Sequence, residues 1–303
     1  MLRIQHSFMN NVRLHFKENG EKWLNELPSI LSYCEEKWEM VIQKPYNLSI
    51  NYVAPAIMKD NNEVVVKVCI PGLEFRDEVE ALKLFENQKM NTLLDYDLNR
   101  GILILEKLIP GATLVEVGDE RQETLIAANI LKNLHIKAPR KSSLHTTKQR
   151  EKNLEEIITQ YPTGLGPISV EELHKALDIF TSMNKTAKHD WLLHGDFHHY
   201  NILSSDHYGW MSIDPKGLIG EREYDLIQYM LNNLPLENAY ETIENRVNLF
   251  TEELSLKKDR LLLWGYCHSV LSTAWSVDKD GTYSKPFFKG ISIFEDLYNE
   301  YFT

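Results

Sequence analysis

The stretch Trp191-Leu-Leu-His-Gly-Asp-Phe-His-His-Tyr-Asn-Ile-Leu203, with Met211-Ser-Ile-Asp-Pro-Lys216 just downstream, decides how the chain is read. It holds His194, Asp196 and Asn201, with four residues between the Asp and the Asn. The second piece is a short apolar strand that ends in Asp214 and so delivers a carboxylate to the edge of a site. Phosphoryl transfer needs one Asp to orient and deprotonate an attacking hydroxyl, and an Asn and a second Asp to hold magnesium against phosphates. Oxygen ligands suit that hard cation.

Working outward, the residues before this stretch divide into a β-rich first third and a mainly helical remainder. Residues 11–42 carry apolar positions at helical spacing, with Leu14, Trp23, Leu27, Ile30, Leu31 and Cys34 on one expected stripe and interruptions near Asn19-Gly20 and Pro28. Residues 46–58 and 63–70 read as two strands joined by the turn Lys59-Asp60-Asn61-Asn62. Residues 75–87 read as a helix and 101–108 as a further strand, stopped by Pro110-Gly111. Helices are expected at 120–135, 148–160, 170–188, 223–231, 239–254 and 256–277, with short strands at 202–203 and 211–213. The pattern is an α+β protein with two lobes.

Composition narrows the function classes. The 303 residues carry a formal charge of −11, which argues against a nucleic-acid partner and suits a cationic substrate as well as plain solubility. Three widely spaced cysteines, Cys34, Cys69 and Cys267, suggest neither a disulfide framework nor a thiolate zinc site, so a reducing compartment is read. The N-terminus Met1-Leu2-Arg3-Ile4-Gln5-His6 has no apolar leader region, and no apolar run is long enough to span a bilayer. The expectation is a cytoplasmic protein with no membrane association.

His194-Gly-Asp-Phe-His-His-Tyr-Asn201 resembles the catalytic loop of the aminoglycoside phosphotransferase family, which is related to protein kinases. Ile213-Asp-Pro-Lys-Gly-Leu-Ile-Gly220, Tyr224-Asp225, Asn51-Tyr-Val-Ala-Pro55 and Leu105-Glu-Lys-Leu-Ile-Pro-Gly111 resemble its streptomycin 6-phosphotransferase and hydroxyurea-kinase branch. The resemblance implies a two-lobed protein-kinase-like fold: a nucleotide-binding lobe over 1–105, a hinge at 106–110 and a helical lobe over 111–303. It implies ATP and Mg2+ as cofactors, with Asp196 as catalytic base, Asn201 and Asp214 as magnesium ligands, and Lys67 as the strand lysine that grips nucleotide phosphates. Glu78 is implied as the partner of Lys67, with Glu80 close enough to compete. Leu105, Glu106, Lys107 and Leu108 belong to the segment that meets adenine through backbone groups, while His194 and Asp225 brace the catalytic loop.

The acceptor implied is a small-molecule hydroxyl, of a cationic aminoglycoside of streptomycin type or a small compound such as hydroxyurea. Asp278, Asp280 and Glu223 are candidates to face a polycation. A metabolic kinase for a sugar or amino alcohol, and a nucleotide-binding pseudokinase, are the alternatives. Intact Lys67, Asp196, Asn201 and Asp214 argue against the last. No glycine-rich loop precedes Lys67; the phosphate-covering hairpin falls at residues 48–53, which contain no glycine.

Plainer readings stand beside these. His194, His198 and His199 could suggest a zinc hydrolase, but that leaves the Asn201 and Asp214 spacings unexplained. Otherwise His198 and His199 are ordinary loop residues. Lys67 could lie on a sheet edge, but its strand face also carries Val65 and Cys69, and a lysine there needs a partner. Asp225 could simply favour a helix N-terminus. Trp264, Tyr266 and Trp275 read as core.

Overall fold

The computed structural model describes residues 5–235 and 237–303; Met1–Ile4, which open the N-terminal stretch read above, and Leu236 lie outside the described residues. The chain separates into two compact units. One runs to Gly111 and takes in Ser205–His207, and the other comprises Ala112–Ser204 and Tyr208–Thr303.

In the first unit α1 (His6–Lys37) precedes a five-stranded antiparallel sheet. Its strands are β1 (Met40–Ile42), β2 (Tyr52–Met58), β3 (Glu63–Val68), β4 (Leu93–Asp97) and β5 (Ile102–Glu106), in the order β1-β2-β3-β5-β4, with α2 (Leu73–Leu84) between β3 and β4. Side chains alternate across a strand, so Val64, Val66 and Val68 share one face. They join Trp23, Leu27 and Leu31 of α1 in a single core. Lys67, paired in register with Val53 and Leu103, points from the opposite face. The expected turn after β2 is present, with Asn61 in the left-handed region (φ 66°) and Asp60 Oδ1 accepting from Asn62 N.

Three expectations for this unit need correction. Leu14 is 80% exposed rather than part of the apolar stripe. The backbone leaves helical geometry at Lys17 (φ 53°, ψ −127°), which resets the phase of α1, and Phe8 and Val12 take the buried positions before the break. The strand expected from residue 46 begins at Tyr52, although Tyr46 N still donates to Val53 O. β4 was not foreseen, since Asp95 and Asp97 interrupt its apolar character.

In the second unit, which β6 (Pro110–Thr113) leads into along the chain, helices dominate. They are α3 (Glu120–Leu134), α4 (Thr147–Gln160), α5 (Val170–Thr186), α6 (Arg222–Asp225), α7 (Ile227–Leu231), α8 (Ala239–Leu254), α9 (Lys258–Ser276) and α10 (Lys285–Phe302). Four short strands, β7 (Ile136–Lys137), β8 (His145–Thr146), β9 (Trp191–Leu193) and β12 (Leu218–Gly220), form a sheet ordered β7-β9-β12-β8. β10 (Ile202–Ser205) pairs with β11 (Gly209–Ser212). The helix expected over 223–231 is two pieces, broken at Leu226, and α10 was not foreseen. Among the described residues no helix is long and apolar enough to cross a membrane.

This arrangement fixes the decisive stretch at both ends. Leu193 stands opposite Leu218 in the antiparallel register, so the loops that follow β9 and precede β12 start side by side.

Candidate active site

In the first unit Lys67 and Glu78 are almost fully buried, 2% and 6% exposed. Lys67 Nζ lies 2.6 Å from Glu78 Oε1, so of the two candidate carboxylates Glu78 meets the ammonium directly. Burying an ammonium is costly unless it is paired. Removing one partner of such a pair costs about 3–5 kcal/mol, whereas replacing both with apolar residues is often neutral. Glu78→Ala is therefore expected to lower the unfolding free energy by that order, and Lys67→Met with Glu78→Leu to recover most of it. Denaturant titrations of the three proteins check this; a single variant as stable as wild type would contradict it.

In the segment expected to act as hinge, Leu105 and Glu106 end β5, and Leu108 is buried. Glu106 accepts from Thr92 Oγ1 at 2.7 Å, and Lys107 is paired with Glu63. Both charged side chains are thus engaged within their own unit.

The second unit holds the loop. Gly195 adopts φ +80°, where a Cβ would also approach Lys216 Cβ at 3.3 Å, so the residue after His194 favours glycine on two counts. Asp225, 3% exposed, accepts from His194 N at 2.9 Å and from Gly195 N at 2.8 Å. His135 Nε2 adds a third contact at 3.0 Å. Burial alone would raise the Asp225 carboxyl, but the hydrogen bond and charge of His135, with those of the loop, hold it below the ordinary carboxylate range. His194 Nε2 donates to Ile213 O at 2.9 Å, and His194 Nδ1 accepts from Asp196 N at 3.3 Å. His194 O accepts from Lys216 N at 2.8 Å. The histidine thereby ties the loop to the backbone on both sides of Asp214.

Asn201 Nδ2 donates to Asp196 O at 3.0 Å, which leaves the amide oxygen as its acceptor group. Ile213 N donates to Asn201 O at 2.9 Å. Asp214 adopts φ +57°, a strained conformation for a residue with a Cβ. Asp196 and Asp214 both act electrostatically on His198. His198 Nδ1 accepts from Tyr200 N at 3.2 Å, so its ring proton sits on Nε2, 3.8 Å from Asp196 Oδ1. The Asp214 carboxylate and the Asn201 amide oxygen, carried on one locked backbone, are oxygen donors of the kind that suit a magnesium ion.

Several readings of individual residues change. His199 is no ordinary loop residue: it is fully buried and stacks on Tyr229 with centroids 3.9 Å apart. Arg246, 1% exposed, grips Glu120 through both carboxylate oxygens, approaches His199 Nε2 at 3.4 Å and donates to the carbonyls of Tyr229, Met230 and Asn232. Glu120, Glu123 and His199 cluster in a way that could attract a metal, but Arg246 already brings the positive charge there. Glu223 is buried and accepts from Lys257 N at the start of α9. Asp278 folds back onto Asp280 N and Thr282 N of its own turn. Trp275 is 44% exposed and Arg150 lies over its ring, whereas Trp264 and Tyr266 are buried as expected. His135 and Arg246 carry much of the loop's support and were missed in the sequence.

A pH dependence follows. His194, His199 and His268 are buried, and burial is the main cause that lowers each, His199 and His268 to about 3. The unfolded chain binds these protons near pH ~6.5. Their contribution to stability is therefore complete above that pH and is lost as pH falls from there through the low folded values, with uptake of up to about three protons on unfolding. Asp225 adds a loss in the same direction at lower pH, below the ordinary Asp value of about 3.9. Urea midpoints are expected to fall between pH 7.5 and 5; a flat profile would contradict this.

The comparisons bear on this geometry. The family described as "Aminoglycoside/hydroxyurea antibiotic resistance kinase" matches residues 51–281. The chain belongs to that family. Streptomycin 6-kinase of Streptomyces griseus is 24% identical over 290 residues, covering 86% of each chain. Hydroxyurea phosphotransferase of Kitasatospora aureofaciens is 26% identical over 274 residues, covering 88% of this chain and 78% of that one. Among solved structures, a thermostable aminoglycoside phosphotransferase mutant in ternary complex with ADP and hygromycin B superposes with TM-score 0.62 at 13% identity, covering 90% of this chain and 98% of that one. That likeness is one of fold, and the fold is protein-kinase-like. Family membership makes the chain a phosphotransferase that acts on a hydroxyl of a small molecule.

Proposed function

We propose that the chain uses ATP with magnesium to phosphorylate a hydroxyl of a streptomycin-type aminoglycoside, and so acts as an antibiotic-resistance kinase. The observation that carries the reading is the loop locked by Asp225 and His194, with Asp196, Asn201 and Asp214 held on one braced backbone. Asp196 orients the acceptor hydroxyl and takes its proton as the oxygen attacks phosphorus. Asn201 and Asp214 would hold magnesium, which when bound neutralises phosphate charge. Lys67, fixed by Glu78, serves the nucleotide phosphates, and the backbone of residues 105–108 serves the base. An ATP-dependent reaction of this kind belongs in the cytoplasm.

The choice of acceptor is supported by the streptomycin 6-kinase relatives, which match along most of the chain. Expression in a streptomycin-sensitive bacterium is expected to raise the inhibitory concentration of streptomycin, and the Asp196→Asn protein at equal abundance is expected not to. Equal sensitivity with and without the wild-type gene would count against the proposed acceptor.

A further inference from the structure

His198 lies inside the catalytic loop, and the reaction described above gives it no task. It caps the short helical turn His199–Asn201. Its backbone is extended (φ −155°, ψ 171°), its Nδ1 accepts from Tyr200 N at 3.2 Å, and its carbonyl accepts from Asn201 N at 2.9 Å. A ring nitrogen that accepts a backbone N–H carries no proton, so the ring is neutral and its proton sits on Nε2. The cap therefore fixes the tautomer as well as the turn.

The nitrogen that carries this proton lies 3.8 Å from Asp196 Oδ1. Both side chains are partly exposed, 18% and 29%, whereas His194 and His199 of the same loop are fully buried. His198 and Asp196 thus share the open side of the loop. The backbone of Asp196 is fixed at its N–H and at its carbonyl. Its carboxylate still turns about the side-chain torsions, and a base works only when it is aimed at the proton it accepts. A donor on one carboxylate oxygen sets that aim. The Nε2–H supplies one by closing from 3.8 Å to the ~3 Å of a hydrogen bond, the tightening that catalytic contacts undergo when substrate binds. A neutral donor does this without adding positive charge, which leaves the field of Asp196 and Asp214 to a cationic acceptor.

Resting on the functional reading above, we propose that His198 is a positioning residue: its Nε2–H donates to Asp196 Oδ1 when the acceptor is bound and so turns Oδ2 toward the acceptor hydroxyl.

Two replacements separate the cap from the donor. Asn keeps an acceptor where Nδ1 stands and is a favoured capping residue, but it has no donor at the position of Nε2. Gln carries an amide donor out to that position and gives up the cap. A hydrogen bond to a charged group corresponds to roughly a ten- to hundredfold effect. His198→Asn is expected to lower kcat on streptomycin by about that factor, with KM for ATP and melting temperature near wild type, and His198→Gln to recover most of kcat. In the Asp196→Asn background the His198→Asn change is expected to cost nothing further, because it acts through Asp196. If His198 only caps the turn, the order reverses, with Asn near wild type and Gln the worse variant in both melting temperature and turnover. That reversed order, or an undiminished loss on top of Asp196→Asn, would overturn the proposal while leaving the kinase reading intact. A wild-type protein that phosphorylates no streptomycin would overturn the reading and the proposal with it.

Discussion

Asp196→Asn is expected to lower turnover by about 10²–10⁴-fold, the usual contribution of a positioned general base, while ATP affinity and melting temperature stay near wild type. The structure gives the reason for the second half of that statement. It is the backbone of Asp196 that braces the loop: its N–H donates to His194 Nδ1 and its carbonyl accepts from Asn201 Nδ2. Its carboxylate Oδ1 lies 3.8 Å from His198 Nε2, which is longer than a hydrogen bond. Replacing a carboxylate oxygen with an amide nitrogen therefore leaves the loop's internal bonds in place and removes proton acceptance alone. A variant that melts early and binds ATP poorly would make Asp196 structural. One that keeps full turnover would remove it from the chemistry.

Asp214→Gly is expected to reduce turnover to background while melting at or above the wild-type temperature. Asp214 pays for its position with φ +57°, a conformation that glycine adopts freely and that costs other residues on the order of 1 kcal/mol or more. Its neighbours are fixed without its side chain: Ile213 bonds to Asn201 O and to His194, and Lys216 N bonds to His194 O. An outlier of this kind next to the loop motivates the hypothesis that the side chain serves a function. If the carboxylate holds magnesium, its loss removes activity and relieves strain together. An Asp214→Gly protein that is active at ordinary magnesium concentrations, or that melts well below wild type, would contradict the assignment.

Legibility followed the range of the interactions. The loop from His194 to Asn201 and the strand into Asp214 were readable because the groups proposed to perform the chemistry lie close in sequence at fixed spacing. Lys67 was readable because a cation inside an apolar strand demands a partner, and Glu78 is near in sequence. The support of the loop was not readable in the same way. His135 meets Asp225 across a sequence separation of 90 residues and Arg246 meets Glu120 across 126, and nothing local distinguishes either from a surface residue. Glu223 looked available on a helix expected to be continuous, yet it turns to the start of α9. α10 was missed although Pro286 is a fitting start signal. Its Phe, Ile and Gly290 content lowers local helix propensity, and the helix is held by packing on α9, with Gly290 against Leu231 and Ser269. β7 and β8, two residues each, are too short to carry any periodicity.

The most direct test of the account is to incubate the purified protein with ATP, magnesium and streptomycin and to follow the drug by mass spectrometry. The account predicts streptomycin carrying one added phosphoryl group, in a reaction that needs magnesium and is nearly absent with Asp196→Asn. A protein that binds ATP yet leaves streptomycin unmodified under these conditions would contradict it.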